Sequence, residues 1–480
     1  MHVKSPEKNI ESETLVTLET PLIQSGFMQT VEAGKNTVIW HSLFGKPKII
    51  SREMQEFLGI FSSPKTLRAI YDEYELSQDE IAYIQELIAD HYLILDGFDE
   101  RAFLAQKMRE RERQITDGSL IKYLELIMSE VCNFRCTYCM HFNNLETSDR
   151  ITNPHKLMDF NTAKKAVDGF LQILRKHKNN AAEINFGGGE PLLAWPVIRQ
   201  VLEYCRLAYD NQFDFRFFIN TNASLMTAEI ARELKSHRVE VASSLDGTRE
   251  GNDKVRLTKS GGGTFASIIK GFDTLAAQDY PLNGIAVTIN ECNFSDLNEN
   301  IIDWAKARGM REVRIDIDVI GMVEIPLADI VAKLMRIRRY AHKSGIDVAG
   351  FWSRPAENLN DSTLEANVAF CGAVRGNSMC ISPSGNIYGC GYSTTKLGSL
   401  DKIESFCAQG GAYHHFVKDH LTGAMNACKG CMIEGQCGGG CNITQEYARA
   451  MQTTKIDRMC DFWRQMTRTL LSEQLHENKF

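Results

Sequence analysis

The segment Cys132-Asn133-Phe134-Arg135-Cys136-Thr137-Tyr138-Cys139 constrains this chain more than any other, because it puts three thiols on one short loop. Upstream, Leu124-Glu125-Leu126-Ile127-Met128 reads as a strand, so the thiols lie on the loop leaving its carboxyl end. Such a loop can wrap an iron–sulfur cluster. It supplies three thiolates to a [4Fe–4S] cube that needs four ligands, which leaves one iron open to a group that is not protein. A zinc loop is the alternative, disfavoured because structural zinc closes with four protein ligands.

The other cysteines extend this metal reading. Fourteen are present, and ten or eleven fall into ligand-like spacings. A secreted disulfide scaffold would be shorter and would carry an export signal. Met1–Lys8 has no apolar core behind a basic start, and no run of about 18 apolar residues exists, so no membrane span is expected and the cytoplasm is the default. A length of 480 residues leaves room for about two to four domains. The net charge of −7 argues against nucleic acid as a partner.

Cys-x3-Cys-x2-Cys after a first strand closely resembles the signature of the radical S-adenosylmethionine (SAM) superfamily. The resemblance implies that Cys132, Cys136 and Cys139 hold the catalytic [4Fe–4S] cluster. Its open iron would chelate the amino and carboxylate groups of SAM, with Tyr138 in the aromatic slot before the last cysteine. From about Lys122 to Gly350, strands alternate with amphipathic helices, which favours a parallel sheet. The expected strands are Leu124–Met128, Ala182–Phe186, Phe215–Ile219, Glu240–Ser243, Gly284–Ile289 and Val313–Asp318. Six such units fit the partial (β/α)6 barrel of that family, in which chemistry gathers at the strands' carboxyl ends.

Gly187-Gly188-Gly189-Glu190-Pro191 follows the second strand. It resembles the family's Gly-Gly-Glu element, which implies that Gly188, Gly189 and Glu190 bind the SAM amino group. Ser244-Leu245-Asp246-Gly247 resembles the Ser-x-Asp-Gly turn. By the same resemblance, Ser244 contacts the ribose or carboxylate and Arg256 pairs with the methionyl carboxylate. Asn220-Thr221-Asn222-Ala223 stands where the family often has Thr-Asn-Gly, with Ala223 in place of the glycine. Cys205 and Cys292 are isolated and read as packing residues.

In the carboxyl-terminal part, Cys371 is followed by thirteen residues to Gly385 and four to Cys390, then by Cys428-x2-Cys431-x5-Cys437-x3-Cys441 and by Cys460. This matches the seven-cysteine SPASM extension at every internal spacing. The resemblance implies a first auxiliary cluster on Cys371, Cys390 and Cys441, and a second on Cys428, Cys431, Cys437 and Cys460. Cys380 either closes the first auxiliary site or faces inward from the hairpin around Ser384-Gly385-Asn386. Cys407 matches no position and reads as structural.

At the amino end, Thr37–Trp40 and Lys48–Ile50 flank Phe44-Gly45-Lys46-Pro47 as a hairpin. Three helices are expected next: about Arg52–Phe61, one capped by Ser63 with Pro64 in its first turn, and one opened by a capping box of Ser77 and Glu80. His91–Leu95 then returns as a strand. The set reads as a winged helix. Residues 1–100 hold 17 acidic against 8 basic side chains, which disfavours DNA. It resembles instead the peptide-recognition element fused to radical SAM maturases of ribosomally made peptides, where a leader peptide adds as a strand beside the third helix.

The expected architecture is therefore α/β. It has a winged-helix leader-recognition domain (1–98), a solvated connecting helix (99–118), a radical SAM core (119–355) and a SPASM domain (356–480). The expected function is a radical SAM oxidation of a precursor peptide that installs a C–C, C–S or C–O crosslink, using SAM and three [4Fe–4S] clusters, with a donor such as flavodoxin. A formylglycine-forming sulfatase maturase is the alternative. It is disfavoured because Cys390 is followed by Gly391 where those enzymes carry an acid. A non-catalytic iron–sulfur scaffold is the alternative of a different class.

Overall fold

The structure, a computed structural model, describes residues 16–74, 76–139, 157–209, 211–318, 324–361, 368–450 and 455–476. At the amino end are β1 (Pro21–Gln24), β2 (Met28–Ala33), β3 (Asn36–His41) and β4 (Gly45–Ile50), followed by α1 (Arg52–Ile60), β5 (Lys65–Thr66), α2 (Leu67–Glu73), α3 (Gln78–Ala89) and β6 (Leu93–Leu95). They make two sheets, β2-β3-β4 and β5-β1-β6. The hairpin and the capping box on α3 are present. The returning strand β6 pairs with β1 in the second sheet, apart from the hairpin. The second helix starts at Leu67 under Thr66, whose Oγ1 accepts from Ala69 N–H, and not at Ser63. Pairing of Lys65 and Thr66 with β1 holds those residues extended.

α4 (Glu100–Thr116) connects this unit to the rest and is capped by Asp99. Its charges suggest a solvated helix, yet Leu104, Met108 and Ile115 are buried. At its start Glu100 accepts from Ser25 Oγ and pairs with His41 Nε2 at 2.7 Å. His41 Nδ1 accepts from the N–H groups of Leu43 and Phe44, so Nε2 carries the proton. This buried Ser–His–Glu trio has no poised nucleophile, because the hydroxyl and the imidazole both donate to Glu100. It joins the amino-terminal unit to α4.

The central sheet begins with β7 (Tyr123–Ser129), and then helices and strands alternate: α5 (Phe160–Lys176), β8 (Ala181–Gly188), α6 (Trp195–Tyr209), β9 (Asp214–Asn220), α7 (Ala228–Ser236), β10 (Glu240–Ala242), α8 (Arg249–Val255), α9 (Phe265–Ala276), β11 (Gly284–Ile289), α10 (Asn300–Ala307), β12 (Glu312–Ile317), α11 (Leu327–Ser344) and β13 (Asp347–Ala349). β7 to β10 pair in parallel, as do β11 to β13, and a Ser244–Ala286 bridge links the two sets. All six expected strands are present, and β13 adds a seventh. Leu124, Leu126 and Met128 of β7 are fully buried, and alternation turns Tyr123, Glu125 and Ile127 to the opposite face.

After α12 (Arg354–Asn360) and α13 (Gly372–Arg375), β14 (Ser378–Ile381) pairs in parallel with β7, so the central sheet continues across residue 355. β15 (Asn386–Tyr388) and β16 (Lys396–Ser399) extend it, with the expected hairpin turning at Gly385, φ 74°. α14 (Ala412–His420), α15 (Glu434–Cys437), α16 (Asn442–Ala450) and α17 (Lys455–His476) complete the chain. Among the described residues no helix is long and apolar enough to cross a membrane.

Candidate active site

The three-cysteine loop leaves β7 and is pinned by backbone on two sides. Arg135 N–H donates to Leu257 O and Thr137 N–H to Val255 O, so the segment after α8 holds the thiols in place. On the other side Asn222 Nδ2 reaches Cys132 Sγ at 3.8 Å and Asn133 Oδ1 at 2.9 Å. Burial pushes the Cys132 thiol up to about 11 and the Cys136 thiol to about 12. Both also feel the charge of Cys139, so the loop gathers all three. Thiols this desolvated ionise only when a cation replaces the proton, so the donor set fits an iron–sulfur cluster. Among the described residues no three donors converge on a single metal ion. A four-iron cube spreads its ligands more widely than one ion does.

The glycines after β8 serve a purpose the sequence does not reveal. A Cβ at Gly188, φ 115°, would lie 2.2 Å from Ser129 O, and one at Gly189 would lie 2.4 Å from Val131 O. Their lack of side chains lets this turn close on the backbone entering the cysteine loop, through Gly189 N–H to Ser129 O and Glu190 N–H to Val131 O. The Glu190 carboxylate is fully buried and accepts from Leu192 N–H, Thr221 Oγ1 and Asn222 N–H at 2.7–3.0 Å. Its pKa is raised by burial despite those donors. Through these bonds the carboxylate ties β8 to the end of β9 and orients Asn222 toward Cys132.

Arg256 and Tyr138 meet at Asp246, which the sequence marked only as part of a turn. Arg256 Nε donates to Asp246 Oδ2 at 2.8 Å, Tyr138 donates its hydroxyl to the same oxygen, and Thr288 N–H donates to Oδ1. Burial opposes the charge of Arg256, but the Asp246 carboxylate outweighs it and the pKa is raised. Ser244 sits beside this trio at its bridge to Ala286. Ala223 adopts φ 59°, so the chain keeps a left-handed turn with a residue that resists it.

Of the carboxyl-terminal cysteines, Cys390, Cys441 and Cys371 act on one another; burial raises Cys441 to about 11 and Cys390 well above the usual range. Buried Glu446 of α16 holds this group from behind by accepting from Ser393 Oγ, Thr394 N–H, Thr395 Oγ1 and Asn442 Nδ2. Cys380 is fully buried and clusters with Ile127 and Tyr388. Cys428, Cys431, Cys437 and Cys460 form a second mutual group, with burial raising Cys428 to about 12. Cys205 is buried in α6, Cys292 is exposed, and Cys407 packs at Gly118.

The model of the radical SAM superfamily matches residues 126–305. Over 467 residues, 94% of this chain and 96% of the relative, the chain is 25% identical to the radical SAM cyclopropyl synthase TigE of Paramaledivibacter caminithermalis. Its fold resembles native anSMEcpe with bound AdoMet and Cp18Cys peptide, with a TM-score of 0.52 and 16% identity over 71% of this chain and 99% of that one. It also resembles Streptococcus suis SuiB bound to S-adenosylmethionine, with a TM-score of 0.51 and 16% identity over 88% and 96%. The fold is thus the α/β radical SAM fold, similar to SPASM-type enzymes, and the family implies a [4Fe–4S] cluster and SAM. A three-thiol loop at the end of β7, a family model matched over residues 126–305 and a relative aligned end to end together show a radical SAM domain in a chain similar to radical SAM enzymes.

Proposed function

We propose that this chain oxidises a ribosomally made precursor peptide and closes a carbon–carbon bond in it. The observation that carries this is the gathered thiol loop of Cys132, Cys136 and Cys139 within a chain that aligns along its whole length with a cyclopropyl synthase. When bound there, a [4Fe–4S] cluster with SAM supplies the one-electron cleavage that yields a hydrogen-abstracting 5′-deoxyadenosyl radical. Tyr138, Asp246 and Arg256 form the wall that receives SAM. Arg256 keeps its charge against burial and offers the end of its guanidinium to a carboxylate. Ser244 contacts the ribose, and the backbone of Gly188, Gly189 and Glu190 lies against the amino group.

Cys371, Cys390 and Cys441, and Cys428, Cys431, Cys437 and Cys460, would hold two auxiliary clusters, which would supply an acceptor for the electron released as product forms, with a reduced flavodoxin as the donor. The amino-terminal unit acts as a winged-helix leader-recognition domain. β4 is the edge strand next to α3, tied to it by a Lys48–Glu86 ion pair and to its C-cap Asp90 by Lys46 and Lys48, and strand addition there needs mainly backbone groups.

The test is anaerobic reconstitution, reduction and incubation with SAM and the short peptide encoded beside this chain. Peptide-dependent 5′-deoxyadenosine and a peptide lighter by two hydrogens are expected. Changing Cys132, Cys136 and Cys139 together to Ala abolishes both and lowers iron from about 12 to about 8 per chain. Unchanged 5′-deoxyadenosine in that variant refutes the reading.

A further inference from the structure

Across the inner face of the central sheet, Cys380, Glu125 and Asn185 stand in one row, because Cys380 pairs with Glu125 and Glu125 pairs with Asn185. Asn185 is 1% exposed, and neither end of its side-chain amide has a hydrogen-bond partner. A buried amide with both ends unpaired is rare in a finished core and persists where a ligand completes it. One donor and one acceptor in a plane match the carbonyl and N–H of a peptide group.

Two glycines let the Glu125 carboxylate lie close beside that amide. A Cβ at Gly187 would lie 2.8 Å from Glu125 Oε1 and 3.3 Å from Asn185 Nδ2. One at Gly391 would lie 2.6 Å from Glu125 Oε1. Gly391 N–H also donates to Glu125 Oε2 at 2.8 Å, so the carboxylate is held by the backbone that follows Cys390. Tyr392 lies near the same carboxylate. It is 46% exposed, and Cys139 and Cys390 are also near its phenol. The row therefore lies between the thiol loop and Cys390, about 13 Å below the carboxyl end of β7.

We propose that Glu125 and Asn185 form the floor on which the reacting residue of the peptide sits, with Asn185 pairing a peptide amide and Glu125 taking the proton the substrate gives up. This rests on the peptide-oxidising reading. The assigned step is a proton transfer alone. A substrate X–H bond gives its proton to the carboxylate, the bonding electrons stay on the substrate atom, and Glu125 becomes the carboxylic acid.

The experiment uses full-length reconstituted enzyme and the synthetic peptide encoded beside it. Glu125→Gln keeps an oxygen for Gly391 N–H but cannot take a proton. It should raise the ratio of 5′-deoxyadenosine to modified peptide about 100-fold. Asn185→Leu removes the unpaired amide at similar volume. It should raise the unfolding temperature of the peptide-free protein while weakening peptide affinity about tenfold. A coupled, wild-type-like Glu125→Gln overturns the assignment, as does iron loss confined to that variant, which would make Glu125 a support for the Cys390 loop. An Asn185→Leu protein that is less stable, or that binds peptide as tightly, overturns it as well. Wild-type enzyme that cleaves SAM without response to any peptide removes the peptide reading itself, an outcome distinct from these.

Discussion

The two carboxyl-terminal cysteine groups interleave along one stretch of chain yet face different neighbours. Cys371, Cys390 and Cys441 belong to the barrel side: β14 extends the central sheet from β7, and Gly391 holds Glu125 of β7. Cys428, Cys431, Cys437 and Cys460 belong to the amino-terminal side. Trp40 Nε1 donates to Met432 O at 2.7 Å, Gly435 N–H donates to Ser42 O, and Arg101 makes a bidentate pair with buried Glu434. Packing is as close as bonding there, since a Cβ at Gly435 would lie 2.0 Å from Leu43 O. A pattern that looks like one metal domain in sequence thus contacts the barrel through one group and the unit proposed to bind leader peptide through the other.

The largest effect that would sharpen this contrast is expected from Trp40→Ala. Trp40 is fully buried, and its loss removes a large side chain and leaves Met432 O without its donor, at a cost of about 3–5 kcal/mol. Iron held by the second group should become labile to chelators while the first group keeps its own. Equal lability in both would erase the distinction.

A pH effect of similar origin belongs to the amino-terminal side. His91 packs against Phe44 and Phe103, and burial, then the nearby His41, lowers its pKa to about 4. The folded state thus resists a proton that the unfolded chain accepts near pH 6.5. Stability is whole above pH 6.5 and falls as the pH drops toward 4, by on the order of 3 kcal/mol at most. His91→Phe should flatten this part of the pH–stability curve. A slope equal to that of the wild type would assign the acid sensitivity elsewhere.

The smallest effect lies on the barrel side. Ala223 is held at φ 59°, and Ala223→Gly should relieve about 1 kcal/mol, raising the unfolding temperature without touching either carboxyl-terminal group. A drop in that temperature would mean that the Ala223 methyl, fully buried, contributes more by packing than its backbone costs.

Much of the site was legible because it is written in short spacings. Three thiols within eight residues, the glycine turn after β8 and the cysteine array are local patterns, and each stands where its elements were expected. Asp246 was less legible, since an Asp before Gly247 reads as a turn residue until Tyr138 and Arg256 are folded onto it. Glu125 left a faint signal, a charge in the middle of an otherwise apolar strand. Asn185 and Glu446 left none, because their importance depends on partners, present or missing, that are remote in sequence.

The sequence alone determined the alternation of strands and helices in the parallel sheet and the three-thiol loop at the end of β7, because periodicity and ligand spacing act over a few residues. Only the tertiary structure decided what the Glu190 carboxylate binds, why Gly188, Gly189 and Gly391 must lack side chains, and which neighbour each cysteine group faces. Those depend on approaches of 2–3 Å between segments far apart in the chain, and no local pattern encodes them.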